Sequence, residues 1–309
     1  YCVILGFSLS IELGRKYIID KDGKHEVSDI NAYLFDAPYV YAESRTKPLC
    51  DVPCMIYGSK PVDGGFLILS EQERTELIAS CPSVEQYIRL FLGAEEFIYN
   101  KKRYCLWLVG ANPKIIRESP LVLDRIEGVR SMRLASKKAA TRKIAETPML
   151  FAEIRHVEKN YLAIPEVSGE NRKYVPIGFM NPNVICSNKM QLIPDATIYD
   201  FGVLTSIVNM AWLRVVCGRL GMSYDYSAKI VYNNFPWPNP TAAQKEKIEK
   251  TAQAILDARK LYPECSLADL YDETTMPVEL HKAHQANDRA VMEAYGFNPS
   301  MDESQIVAE

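Results

Sequence analysis

Two short polar stretches in this chain carry residue types suited to hydrogen-bond readout. One is Ser168-Gly169-Glu170-Asn171-Arg172-Lys173 and the other Ser187-Asn188-Lys189-Met190-Gln191. Each follows an apolar run that reads as a strand, Tyr161–Pro165 before the first and Val184–Cys186 before the second. Asn and Gln have the geometry to pair bidentately with adenine, Arg and Lys with guanine. On that chemistry the candidate base-reading residues are Glu170, Arg172, Ser187, Asn188, Lys189 and Gln191. A β-meander with solvated turns would have a similar composition.

A second feature is a concentration of positive charge. From Arg125 to Lys143 there are seven basic residues against one acid, Glu127, a net of +6. Read as one long helix over residues 120–146, Val129, Met132, Ala140 and Ile144 mark an apolar face. Arg130, Arg133, Lys137 and Thr141 share the other face, which Lys138, Arg142 and Lys143 widen. Solvated helix surfaces usually interleave both signs; a stripe of one sign can follow a phosphate backbone and release its counterions. The candidate phosphate contacts are therefore Arg130, Arg133, Lys137, Lys138 and Arg142.

Other chemistry finds less support. Asn234-Phe235-Pro236-Trp237 is superficially similar to the Asn/Asp-Pro-Pro-Tyr/Phe loop of amino-methyltransferases, but it lacks the double proline and no Gly-rich turn precedes it in a strand–helix context. Asp36, Glu43 and Lys47 do not reproduce nuclease spacing, because Glu43 is followed two positions on by Arg45. His281 and His284 share a helix without a third ligand, and Cys50 and Cys54 have no answering pair. With four histidines and no local signature, no Ser/His/Asp arrangement can be argued. The expectation is a chain with no catalytic residue and no metal site of its own.

The elements that must position these loops read as follows. Tyr1–Ser10 is an apolar run expected to be a buried strand at the edge of a larger fold, and residues 11–27 alternate around Asp22-Gly23, a hairpin signal. Residues 31–63 are proline-punctuated and irregular. Ser70 with Glu73 forms a capping box opening a helix to about Ser80. Ser83 starts another helix carrying Ile88, Leu90, Phe91 and Leu92, and Tyr104–Leu108 is a strand. The segment 199–220 is one buried helix closing at Gly218 or Gly221. After Tyr232–Pro238, helices run over 244–261 and 277–295, the second stopping at Gly296.

Composition is that of an ordinary globular protein, 48% hydrophobic and 24% charged with a net charge of −3. No apolar run reaches the roughly 20 residues that span a bilayer, and the eight cysteines include no Cys-x-x-Cys pair. They read as reduced residues of a cytoplasmic protein. Residues 241–309 carry seven basic and thirteen acidic residues, a net of −6, so the basic element is followed by an acidic tail.

Several long motifs resemble one family. They are Asp51-Val52-Pro53, Gly58-Ser59-Lys60-Pro61, Asp63-Gly64-Gly65, the run from Pro165 to Phe179, Ser187-Asn188-Lys189, Phe201–Leu204, Cys217–Leu220, Tyr232–Pro238 and Ser266–Asp272. Together they are similar to the part of MmeI-type (type IIL) restriction–modification enzymes that follows the methyltransferase domain. The resemblance implies an α+β fold: a mixed-sheet target-recognition domain with helices, then a small all-helical C-terminal module. It implies a division into 1–62, the last strand or so of an upstream methyltransferase domain with its connection; 63–238, the DNA-binding target-recognition domain; and 239–309, the helical module. The partners implied are double-stranded DNA and upstream methyltransferase and nuclease domains of the same polypeptide, with no membrane. S-adenosyl-L-methionine and Mg²⁺ are implied for the parent adenine-N6 methyltransferase and endonuclease, and no cofactor for this stretch. The alternative is a non-enzymatic interaction scaffold with an acidic helical docking tail.

Overall fold

The computed structural model describes residues 4–7, 15–20, 23–39 and 41–309. The expected strand over Tyr1–Ser10 lies largely outside them. Its described part, residues 4–7, is neither strand nor buried: Ile4 and Phe7 face solvent. The expected hairpin is present as β1 (Lys16–Asp20) and β2 (Gly23–Val27), antiparallel with Asp20 opposite Gly23; its turn residues 21 and 22 lie outside the described set.

After β3 (Ile56–Tyr57), which belongs to the second sheet, a first layer forms from β4 (Ile68–Leu69), α1 (Glu71–Ser80), β5 (Ile88–Leu92), α2 (Ala94–Tyr99) and β6 (Tyr104–Leu106). The capping box at Ser70 and Glu73 opens α1 as read: Glu73 N–H donates to Ser70 Oγ and Ser70 N–H to the Glu73 carboxylate. Those contacts, with the Arg125 guanidinium, hold the Glu73 carboxyl at about 2. The helix expected from Ser83 is instead a single 3₁₀ segment, Pro82–Tyr87, running into β5. Five bulky residues in a row fit a fully buried strand as well as a helix, and β5 lies between two neighbours, β6 and β10 (Val184–Cys186).

Helices α3 (Pro113–Glu118), α4 (Pro120–Leu134) and α5 (Ala139–Lys143) cover this sheet. The long basic helix is therefore broken in two. The cause is Arg133, which is fully buried. Its guanidinium donates to the carbonyls of Pro61, Val62, Ile144, Thr147 and Leu150 at 2.8–3.1 Å. Folding the chain back so that residues 144–150 present their carbonyls to Arg133 ends the helix at Leu134.

The second sheet, in order β3-β11-β7-β9, joins β7 (Tyr161–Pro165), β9 (Gly178–Met180) and β11 (Met190–Pro194). Between β7 and β9, β8 (Val167–Ser168) leaves to pair with a separate ribbon. The expected single helix over 199–220 is α6 (Ile198–Leu204) and α7 (Ile207–Val216), because Ser206 Oγ caps a new start by accepting from Asn209 N–H. The ribbon is β12 (Gly218–Leu220) and β13 (Ser223–Asp225).

Helices α8 (Ala242–Lys260), α9 (Leu267–Leu270), α10 (Val278–Tyr295) and α11 (Glu303–Ala308) complete the chain, and Gly296 at φ +76 closes α10 as read. These mixed sheets followed by helices are the α+β arrangement expected. The largest core is shared: Leu162, Ile164 and Ile193 of the second sheet pack with Phe201, Leu213, Ala252, Ile255 and Leu280. No described helix is long and apolar enough to cross a membrane.

Asp288 on α10 bolts the helical tail to the rest. It accepts from Tyr174 Oη at 2.6 Å and from Ile207 N–H, at the start of α7, at 2.8 Å. Burial pushes its carboxyl from 3.8 up to about 6, outweighing these two bonds. A carboxyl raised in this way binds its proton more tightly folded than unfolded. Its contribution to stability is complete below about pH 4 and is lost as pH rises through about 6. Asp288→Asn keeps an acceptor, Oδ1, for Ile207 N–H and places its Nδ2 amide at Tyr174 Oη, which changes from donor to acceptor. The variant should exceed the parent in stability at pH 8 by up to about 3 kcal/mol, with no gain at pH 4. Denaturant titrations at both pH values measure this; an equal difference at both would contradict it.

Candidate nucleic-acid interface

Strand pairing brings the two polar loops to one end of the second sheet. β7 and β11 are antiparallel, with Met190 opposite Pro165. The chain enters β11 where it leaves β7, and Glu166 N–H donates to Lys189 O at 3.0 Å. Across the next step, Ser168 is opposite Tyr224 and Val167 opposite Asp225. Loop 187–189, the hook 168–173 and the β12–β13 ribbon thus emerge side by side.

The second loop hangs on main-chain bonds. Ser187 N–H donates to Leu92 O, Asn188 N–H to Ser59 O, Ser59 N–H to Cys186 O and Gly58 N–H to Met190 O, all at 2.8–3.0 Å. Asn188 is half-exposed and Lys189 exposed; Lys189 Nζ reaches the Glu166 carboxylate at 3.1 Å. The two loop residues flanking them differ from expectation. Ser187 is buried, its Oγ accepting from Lys189 N–H at 3.2 Å. Gln191 is fully buried within β11, opposite Ile164, so it cannot reach a base edge. The loop is shorter than its polar composition suggests, because the strand begins at Met190.

The hook is pinned from beneath. Arg214 Nη2 donates to Lys173 O at 2.8 Å and Tyr224 Oη to Glu170 O at 3.3 Å. Arg219 approaches the Glu170 carboxylate at 3.8 Å. Glu170 and Arg172 are half-buried, and Asn171 and Lys173 face solvent. They line a cleft of about 1080 Å³ between the hook, the ribbon and the start of α10.

Of the candidate phosphate contacts, Arg130, Lys137, Lys138 and Arg142 are exposed around the turn between α4 and α5. Arg130 pairs with Glu127 at 3.5 Å, and Arg142 Nη1 donates to the carbonyls of Ser136 and Lys137, tightening the turn. Arg133 is the exception: its charge is enclosed, and burial lowers its pKa against the pull of Asp63. It builds the turn and cannot touch a phosphate. The turn is linked to loop 187–189 through residues 59–62, since Ser59 bridges Ser187 while Pro61 and Val62 bind Arg133. That stretch spans at most about 10 Å of extended chain.

Arg155 is a further cation at this surface that the residue pattern did not point to. Its N–H donates to Ser59 Oγ at 2.9 Å, its guanidinium meets the Glu153 carboxylate at 2.5 Å, and it lies 5.9 Å from the Tyr57 ring centre. It is exposed, and through Ser59, which bridges Ser187, it stands beside loop 187–189. It lies outside helices and strands in residues 147–160, so only its charge marked it.

The buried His284 is structural: Tyr174 stacks on it at 4.0 Å, Tyr271 Oη lies 2.8 Å from its Nε2, and burial drives its pKa well down. Among the described residues no three His, Cys, Asp or Glu side chains gather as a metal site. The seven described cysteines are free thiols; three are buried, three half-buried, and Cys54 is exposed.

The geometry matches known proteins over almost its whole extent. The family model described as MmeI, target recognition domain, matches residues 36–239, and that described as MmeI, C-terminal domain, matches residues 240–309. DNA methyltransferase A of Bacillus subtilis (strain 168) is 39% identical over 293 residues, covering 95% of this chain and 33% of that protein. The type IIL restriction–modification enzyme MmeI, solved in complex with DNA, superposes with a TM-score of 0.88 at 47% identity, covering 92% of this chain and 38% of the MmeI chain. The chain thus spans about a third of the length of the curated relative it matches. A target-recognition model over two-thirds of the residues, followed without a gap by that enzyme's C-terminal model, places the chain in the MmeI family.

Proposed function

We propose that this chain reads the sequence of duplex DNA for an adenine-N6 methyltransferase and restriction endonuclease whose catalytic domains belong to the same polypeptide. The observation that carries the reading is the gathering of Asn188, Lys189, the 168–173 hook and Arg155 at one sheet end, beside the exposed cations Lys137, Lys138 and Arg142. Phosphate contacts orient a duplex and base contacts specify it. Lys137, Lys138, Arg142 and Arg130 hold the backbone while Asn188 and Lys189 meet base edges, with Glu170 and Arg172 reached through the cleft. MmeI itself was solved with DNA, and the Bacillus relative is a DNA methyltransferase. By that likeness the parent uses S-adenosyl-L-methionine, with Mg²⁺ for strand cleavage, in the cytoplasm. The described residues fit neither group: no metal cluster is present among them, and no Gly-rich nucleotide turn follows a strand. In this reading methyl transfer and strand cleavage belong to the upstream domains, and the part of this chain is to hold the target adenine where the base can be rotated out of the stack.

Selection from a randomised duplex pool, followed by binding titrations at several salt concentrations, tests this reading. Lys137→Glu should weaken all duplexes alike and flatten the slope of log affinity against log salt by about 0.9 for each phosphate no longer neutralised. Asn188→Ala should leave the slope unchanged and relax preference at one base pair by about tenfold to a hundredfold. Failure to enrich any sequence, or a swap of these two effects, would overturn the assignment.

A further inference from the structure

The β12–β13 ribbon has a tip that water does not favour. Leu220 is 66% and Met222 54% exposed, and Gly221 between them sits at φ +61, the kind of conformation a two-residue hairpin turn reserves for glycine at its first position. Paired apolar side chains at the end of a projecting finger lose hydration free energy unless something covers them. The mount beneath the tip is stiff. The Arg219 guanidinium stacks 4.4 Å from the Tyr224 ring centre, Arg214 Nε donates to Tyr224 Oη at 3.1 Å, and Arg214 is itself fixed by Glu303 at 2.5 Å.

The finger also points in a defined direction. Because β13 runs antiparallel to β8 with Tyr224 opposite Ser168, the tip projects the same way as the hook and is continuous with the candidate interface. At the cleft beside it lie Arg172, Lys173, Arg214 and Arg219, together with Glu273 and with Glu170 and Glu303, which pair with Arg219 and Arg214. An apolar point beside Arg172 and Lys173, continuous with the candidate interface, suits a duplex, whose backbone is anionic and whose base steps are apolar in section. Leu and Met are among the side chains that wedge between base pairs, unstacking a step and bending the helix.

We propose that Leu220 and Met222 insert into the bound duplex as a wedge that unstacks one base step beside the sequence read by loop 187–189. This rests on the duplex-reading function above and adds a mechanical role to it: the wedge lowers the cost of distorting the site before a base is extruded.

The test uses the intact polypeptide and a duplex enriched by it from a randomised pool, resynthesised with 2-aminopurine at successive positions. The wild type should raise 2-aminopurine fluorescence several-fold at one or two adjacent positions. Leu220→Ser with Met222→Ser should remove at least half of that rise without altering the salt slope. Leu220→Ile with Met222→Leu, which keeps the tip apolar, should retain it. No rise at any position with wild type, an undiminished rise in the serine variant, or an abolished rise in the conservative variant would each overturn the wedge while leaving sequence reading intact. Failure to enrich any duplex would instead overturn the function on which the wedge depends.

Discussion

Replacing Arg133 with methionine should lower the unfolding free energy by about 4 kcal/mol or more, although the residue touches no ligand. Five main-chain carbonyls from two segments, 61–62 and 144–150, accept from this one guanidinium. A hydrogen bond to a charged donor contributes about 1.5–3 kcal/mol, and a buried acceptor left without a partner carries its desolvation penalty in full. Removing the buried charge offsets part of the loss, so the sum of five bonds is an upper bound. Methionine fills much of the volume but donates nothing. The turn bearing Lys137, Lys138 and Arg142 loses its anchor as well, so the salt dependence of DNA binding should flatten although no phosphate ligand has been changed. Equilibrium denaturation in urea measures the first effect; a loss below about 1 kcal/mol would show that the carbonyls find other donors.

Gly58→Ala should be nearly as damaging and more specific in its effect. A Cβ on Gly58 would lie 2.3 Å from Ser187 O, 2.5 Å from Cys186 O and 2.8 Å from Cys186 C. All three are main-chain atoms of the segment that carries Asn188 and Lys189, so no side chain can swing aside. The two strands must separate, straining the Ser59 N–H to Cys186 O and Asn188 N–H to Ser59 O bonds. A cost of about 2–4 kcal/mol is expected from overpacking and weakened pairing. Preference at the base pair facing Asn188 should relax at the same time, by an amount comparable to Asn188→Ala. Thermal denaturation and competition between selected and altered duplexes report the two effects. Full stability with full selectivity would mean that the close approach is not required.

How much of the molecule is legible in its sequence depends on the range over which each residue acts. The Ser70/Glu73 box, the stop at Gly296 and the β1–β2 hairpin are local, and the residue pattern shows them. So does it show both polar loops and the helical tail. β5 reads wrongly as helix because a run of five bulky residues has no period to separate the two. The long basic helix reads as unbroken because Arg133 finds its acceptors at 61–62 and 144–150, which no helical wheel displays. Gln191 reads as a surface residue because its amide looks like a reader; it is in fact the second residue of β11, with both amide atoms buried and without a partner among the described residues. Arg155 escapes the pattern for the converse reason: Ser59, which positions it, is 96 residues away in sequence. Likeness to the MmeI family carries the function further than residue chemistry does, since the amide and cationic side chains of the loops fit a solvated meander almost as well.

The loop at 187–189 is suspended from the main chain of its neighbours, to which the Lys189 side chain adds an exposed ion pair with Glu166 that contributes little. Residues at positions 188 and 189 are therefore free to drift without risking the scaffold, whereas Gly58, Ser59 and Arg133 are not. On the base-reading role proposed above, a lineage built on this frame can try new letters at the tip one at a time, each variant arriving already folded. Selection then acts on what is recognised and leaves untouched the question of whether the protein survives.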